Sequence, residues 1–159
     1  MAVHKLLIGV VCLLLAFTSV EASEDTPSEA AMAFAGQFSD DQLSGMLSRI
    51  GGGSQAMIEL SQLGGTVVAE VFDLQIDAAV AKYGQQWQTN MALAWQPLLT
   101  DDEMTSLMSD GADSPYSGKY TELRTEAGQA MQASSQDLFR EILGEVITET
   151  RLSLQKASQ

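Results

Sequence analysis

A chain of 159 residues, 45% of them hydrophobic, is long enough for one domain with a buried core, and its net charge of −13 repels nucleic acid phosphates and anionic lipid headgroups. Its single histidine and single cysteine, His4 and Cys12, both fall near the start of the chain. If that start is removed, as its pattern predicts, what remains has no disulfide, thiolate nucleophile, Ser–His–Asp triad or histidine metal site.

Met1 to Lys5 make a short basic start, and an apolar run follows from Leu6 to Phe17. Twelve helical residues reach about 18 Å, short of the roughly 30 Å hydrocarbon core of a bilayer. Val20 and Ala22 then occupy the −3 and −1 positions of a cut between Ala22 and Ser23, the layout of a cleaved secretory signal. Cys12 does not suit a lipid-modified cysteine, because Val11 precedes it and more apolar residues follow it. The expectation is a periplasmic protein with no stable membrane anchor after cleavage. Removing residues 1–22 leaves 137 residues and, because Lys5 and Glu21 leave together, the same net charge of −13. Without disulfides in an oxidising compartment, apolar packing has to hold such a chain together.

Residues 23–28 are polar and read as a flexible leader, with Pro27 suited to the first turn of a helix running through Ala30–Phe34. Ser39 with Gln42 three residues on predicts a capping box, Phe38 stapling onto Leu43, and Leu43, Met46, Leu47 and Ile50 form an apolar stripe. The glycines at 51–53 stop that helix; no strand precedes them and no Gly-Lys-Ser/Thr follows, so a phosphate loop is not indicated. From Ser54 to Tyr83 the spacing predicts a helix whose stripe is Met57, Leu60, Leu63, Val67, Val71, Leu74, Ala78 and Ala81, with a weak point at Gly64–Gly65.

A further helical segment spans Gln85 to Gln96, ended by Pro97, with Trp87, Met91, Ala94 and Trp95 apolar. Thr100 and Glu103 predict a second capping box, with Leu99 as a staple onto Met104. Asp110 to Gly118 reads as a turn-rich loop. A long final helix near 119–156 carries Leu123, Ala127, Ala130 or Met131, Leu138, Ile142, Val146 and Ile147, with Lys156 at its C-terminal end. The fold class that follows is all-α, a small bundle of five to six helices in a single domain over 29–156.

The two capping-box segments, Phe38–Ser48 and Leu99–Ser109, align at an offset of 61. Glu59-Leu60 and Gly65 match Glu122-Leu123 and Gly128 at an offset of 63, so the domain divides on paper into two similar units, 29–83 and 85–156. The alternative is that good helix starts draw on few residue types and look alike.

In the second of these segments, Leu99-Thr-Asp-Asp-Glu-Met104 with Met108, then Ser114-Pro-Tyr-Ser-Gly-Lys119, then a long helix with Met131 and a glutamine-rich face stand in order. That pattern resembles the C-terminal part of the bacterial periplasmic family called domain of unknown function 2059, over roughly residues 85–150. It departs from the family in the turn, where Tyr116-Ser117 adds one residue, and before it, where Gly111-Ala112 replaces an aromatic. The resemblance implies an all-helical periplasmic protein and carries over no catalytic residue.

Asp40-Asp41 and Asp101-Asp102-Glu103 are the densest carboxylate clusters, but acids in a first helical turn already serve the cap and the dipole. No calcium-loop spacing occurs, so the sequence indicates no metal, no cofactor and no catalytic residue. Trp87, Trp95, Pro115, Tyr116 and Lys119 are the candidate interaction surface, against the alternative that both tryptophans pack in the core. The preferred function is a non-catalytic periplasmic protein that binds a protein partner or an apolar ligand in a helix-lined groove, its seven internal methionines supplying adaptable surface. The alternatives are an immunity or inhibitor protein against a basic toxin or hydrolase, and a carboxylate-dependent hydrolase. The sequence sets no oligomeric state.

Overall fold

The computed structural model of the protein describes residues 26–157 and 159, of which 87% are helical, in six helices and with no strand. The expected export signal and its cut before Ser23 lie outside the described residues. The elements are α1 (Glu29–Gly36), α2 (Ser39–Met46) with a π turn over Leu47–Gly51, α3 (Gln55–Gly64), α4 (Thr66–Trp95), α5 (Asp101–Asp110), a short 3₁₀ turn over Gly111–Asp113, and α6 (Ser117–Ala157). The chain is an all-α helical bundle, as its periodicity predicts.

Two long antiparallel helices organise it. Gln75, Lys82, Asn90 and Trp95 of α4 meet Ser153, Glu145, Ser135 and Tyr120 of α6, so one runs up as the other runs down. Helices α1 and α2 pack on α4, α5 packs on α1, and α3 reaches both α4 and α6 at the far end. The core is continuous. Phe34, Leu43, Leu47, Trp87, Met104 and Ile142 are all nearly solvent-free, each burial being worth about 1.5–3 kcal/mol.

Local rules explain the starts and stops. Ser28 caps α1, its Oγ accepting from the Ala31 amide at 3.1 Å, while its own amide and hydroxyl donate to Gln96 and Asp101. Pro27 therefore precedes the cap rather than opening the helix, and Ser28 is a fixed joint rather than part of a leader. Ser54 caps α3 through the Met57 amide at 3.3 Å. Thr100 and Glu103 form the expected capping box of α5. The expected weak point at Gly64–Gly65 is a full break, because Gly65 takes φ +57°, ψ −135°, a conformation that only glycine adopts cheaply.

Other expectations are corrected. Ser39 forms no capping box: Phe38 precedes the helix, Ser39 is buried in its first turn, and Gln42 accepts from the Trp87 indole instead. The tight Gln37–Phe38 joint carries α1 almost directly into α2, so the chain never opens into the extended cap that a capping box needs. No helix ends near Gly84; α4 runs unbroken from Thr66 to Trp95, so a joint between units at 83–85 would fall inside one helix. Gly84 instead lets α2 come close, since a Cβ there would lie 3.0 Å from the Asp40 carboxylate.

The stripe expected over 57–81 holds in α3, where Met57 is buried and Leu60 packs on the core, but beyond Leu60 it lies one face away from the core. Val68, Phe72, Ile76, Ala79 and Tyr83 are buried, whereas Leu63, Val67 and Leu74 are 88%, 52% and 64% exposed. The expected α6 stripe holds at Ala127, Met131, Ile142 and Val146, but Ala130 is exposed. Ser135 and Thr150 complete that buried face, satisfied by Asn90 and by the Val146 carbonyl.

Candidate functional site

Helices α1 and α2 lie on one flank of α4 and α6 on the other, each packed on α4 more than on one another. A groove opens between them, and three rows of side chains spaced by four residues build it. Phe34, Phe38, Gln42, Met46 and Ile50 form one wall. The α6 wall is Tyr120, Arg124, Gly128, then Met131, Ser135, Phe139 and Leu143. Trp87, Met91 and Trp95 of α4 form the floor.

The groove holds three joined depressions of about 810, 180 and 500 Å³, the first of them lying beyond the α4 floor and closed by Leu107 and Met108 of α5 and by Gly111 and Ala112. Phe38 and Tyr120 are shared by the first two, and Gln42, Gly128 and Met131 by the last two. From Tyr120 to Leu143 the α6 wall extends about 35 Å, at 1.5 Å per residue.

Aromatic packing fixes one end. The Trp95 indole stacks on Tyr120 with centroids 4.9 Å apart, and Phe34 meets both rings edge-on at 5.7 and 6.0 Å. At the other end Trp87 faces Phe139 at 6.1 Å. Polar braces set the walls: the Trp87 indole N–H donates to Gln42, Gln88 donates to the Met32 carbonyl at 2.8 Å, and Asn90 donates to Ser135 at 3.0 Å. Three residues within one turn of α4 thus hold α2, α1 and α6.

Gly128 is a notch in the α6 wall. A Cβ added there would meet nothing within 4 Å. The π turn brings Ile50, half exposed, to the opposite lip, and Gly51 permits it, because a Cβ there would stand 2.7 Å from Phe72 and 3.0 Å from Leu143. The lining is apolar with a polar rim of Gln42, Gln132 and Gln136, the anatomy of a recognition surface. Its charged members are Arg124, Arg140 and Glu122, a cationic balance on an acidic chain.

The candidate residues from sequence do not form one surface. Trp87 and Trp95 are 2% and 8% exposed and belong to the groove floor. Pro115 is exposed and Tyr116 half-buried in the turn before α6. Lys119 is held by Glu103, its Nζ donating to both carboxylate oxygens at 2.7 and 2.8 Å. That bond, followed by the Thr100 amide, keeps the Glu103 carboxyl below the usual range. The two walls escaped the sequence reading because Gln42, Gly128 and Ser135 interrupt their apolar rows, although the four-residue spacing itself was present.

A second polar cluster joins α4 to α6 on the far side of the core. The Lys82 ammonium donates to both Glu145 oxygens at 2.8 Å, and the Tyr83 hydroxyl donates to Glu145 at 2.5 Å. The Lys82 and Tyr83 hydrogen bonds hold Glu145 below the usual carboxylate range. In return Glu145 raises Lys82 and Tyr83. The raised phenol stays protonated at neutral pH, and the three side chains clamp α4 to α6.

Asp101, Asp102 and Glu103 stand in the first turn of α5, outside the groove lining, with Asp101 and Glu103 already bonded to Ser28, Thr100 and Lys119. Among the described residues, no group of three or more His, Cys, Asp or Glu side chains stands where it could hold a metal ion. No described helix is long and apolar enough to cross a membrane. In comparisons with known proteins, the chain matches no family model, no curated protein and no solved structure.

Proposed function

We propose that the protein is an exported, non-catalytic binding protein that works in the periplasm and holds an amphipathic helix of a partner in the groove between α2 and α6. The observation that carries this reading is the match of three four-residue rows, Phe34 to Ile50, Trp95 to Trp87 and Tyr120 to Leu143, around one open channel. A helix presents its own apolar side chains three and four residues apart, so it can interleave with such rows. A groove about 35 Å long suits a segment of roughly 20 residues. Met46, Met91, Met108 and Met131 line it, and unbranched thioethers repack around different side chains. The glutamine rim pairs with a polar helix flank without demanding a charge. The apolar start before Ser23 and its small-residue exit support the export part of the reading.

Calorimetric titration with designed neutral amphipathic helices of about 20 residues tests it. Saturable binding with a negative heat-capacity change is expected, and its loss in Gly128→Phe, which fills the notch. Equal binding by that variant would remove the groove from the account.

A further inference from the structure

Over α4, the apolar face that the periodicity picks out is turned outward rather than into the core. On α4, Val67, Val71, Leu74, Ala78 and Ala81 recur at three and four residues, an apolar ribbon of about four turns and 21 Å. Val67 and Leu74 are 52% and 64% exposed, Ala78 and Ala81 are exposed, and Val71 is half-buried. The opposite face of the same helix, Val68 to Tyr83, already supplies the core. A helix apolar on both sides is ordinarily covered on both sides.

The flank of this ribbon states what covers it. At 100° per residue Glu70 and Asp77 fall along one edge of the ribbon, with Asp73 just beyond. All three are exposed, and none takes part in an ion pair among the described residues. On the other edge Lys82 is already engaged by Glu145. A second copy of the chain packed antiparallel across this ribbon would set Glu70 of one chain against Asp77 of the other, which like-charge repulsion opposes. A cationic helix with an apolar stripe avoids that repulsion: it covers Val67 and Leu74 and brings positive side chains to Glu70, Asp73 and Asp77.

We infer that the outer face of α4 is a docking surface for a basic amphipathic helix of another protein. It is separate from the groove, whose floor begins beyond Tyr83, so the two surfaces are tested independently.

The probe is a designed leucine–lysine helix of about 18 residues, five turns long, titrated into the full chain carrying Gly128→Phe so that the groove is filled. Binding is expected to weaken roughly tenfold or more when Val67→Glu and Leu74→Glu are combined, although that variant is more acidic. It is expected to weaken, with a flatter salt dependence, in Glu70→Lys/Asp77→Lys. Unchanged or tighter binding by the Val67→Glu/Leu74→Glu variant would overturn the inference, since bulk charge would then suffice. Equal binding of a leucine–glutamate helix would overturn the charge argument. A dimer of the chain alone, in sedimentation, that Val67→Glu/Leu74→Glu dissociates would give the face to a second copy instead. Circular dichroism of each variant confirms that its helices are retained.

Discussion

The indole of Trp95 lies on the phenol ring of Tyr120, centroids 4.9 Å apart and planes 24° from parallel. The contact ties the end of α4 to the start of α6 and shapes the wider end of the groove. Such pairs contribute about 0.5–1.5 kcal/mol beyond the area they bury. Tyr120→Ala is therefore expected to lower the thermal midpoint and alter the near-ultraviolet circular dichroism, while Tyr120→Phe stays close to wild type. Equal effects of both substitutions would mean that the hydroxyl, not the ring, carries the contact.

Two glycines are expected to respond in opposite directions. Gly65→Ala places a side chain at φ +57°, ψ −135° and should cost about 1–3 kcal/mol. Gly128→Ala lies in the middle of a helix with open space around it and should gain about 0.5–1 kcal/mol. Chemical denaturation measures both. A stabilised Gly65→Ala protein would show that α3 and α4 are not separated by this turn.

The two helix starts that look alike in sequence should differ on substitution. Thr100→Ala removes a working cap and is expected to cost about 1 kcal/mol. Ser39→Ala removes a buried hydroxyl whose bond to Asp40 is 3.5 Å long, and it should be close to neutral. Similar losses at both sites, read from urea midpoints, would restore the Ser39 capping box.

The Lys82–Tyr83–Glu145 clamp gives stability a pH window. Glu145 is lowered in the folded chain, so its contribution is present above the unfolded carboxylate value near 4.3 and is lost as pH falls through the folded value. Lys82 and Tyr83 are raised, so theirs is present below the unfolded values near 10 and is lost as pH rises through the folded ones. Glu145→Gln should lower the thermal midpoint at neutral pH by a small margin, since the pair is exposed, and the gap to wild type should close in strong acid. A gap that persists in acid would assign the loss to packing.

Periodicity alone carried the helices because their apolar steps repeat over many turns: α6 is legible from Leu123 to Ile147, and α5 from a capping box that forms as written. It misplaced the buried face of α4 because two apolar stripes share that helix, and nothing in the spacing says which one meets α1, α2 and α6. Ser39 misled for a related reason: its residue type suits a cap, but the short Gln37–Phe38 joint buries it. The groove stayed hidden because it belongs to three segments distant in sequence. Trp87, Met91 and Trp95 stood out as a row, yet their wall partners Gln42, Gly128 and Ser135 look ordinary until the helices are assembled.

Trp87 and Trp95 are the two tryptophans of the chain, and both lie in the groove floor. Indole emission is therefore a direct reporter of occupancy. Titration with a tryptophan-free neutral amphipathic helix is predicted to change that emission saturably in the wild-type protein and to leave Gly128→Phe unchanged. No change in the wild type, or the same change in both proteins, would contradict a groove that holds a helix.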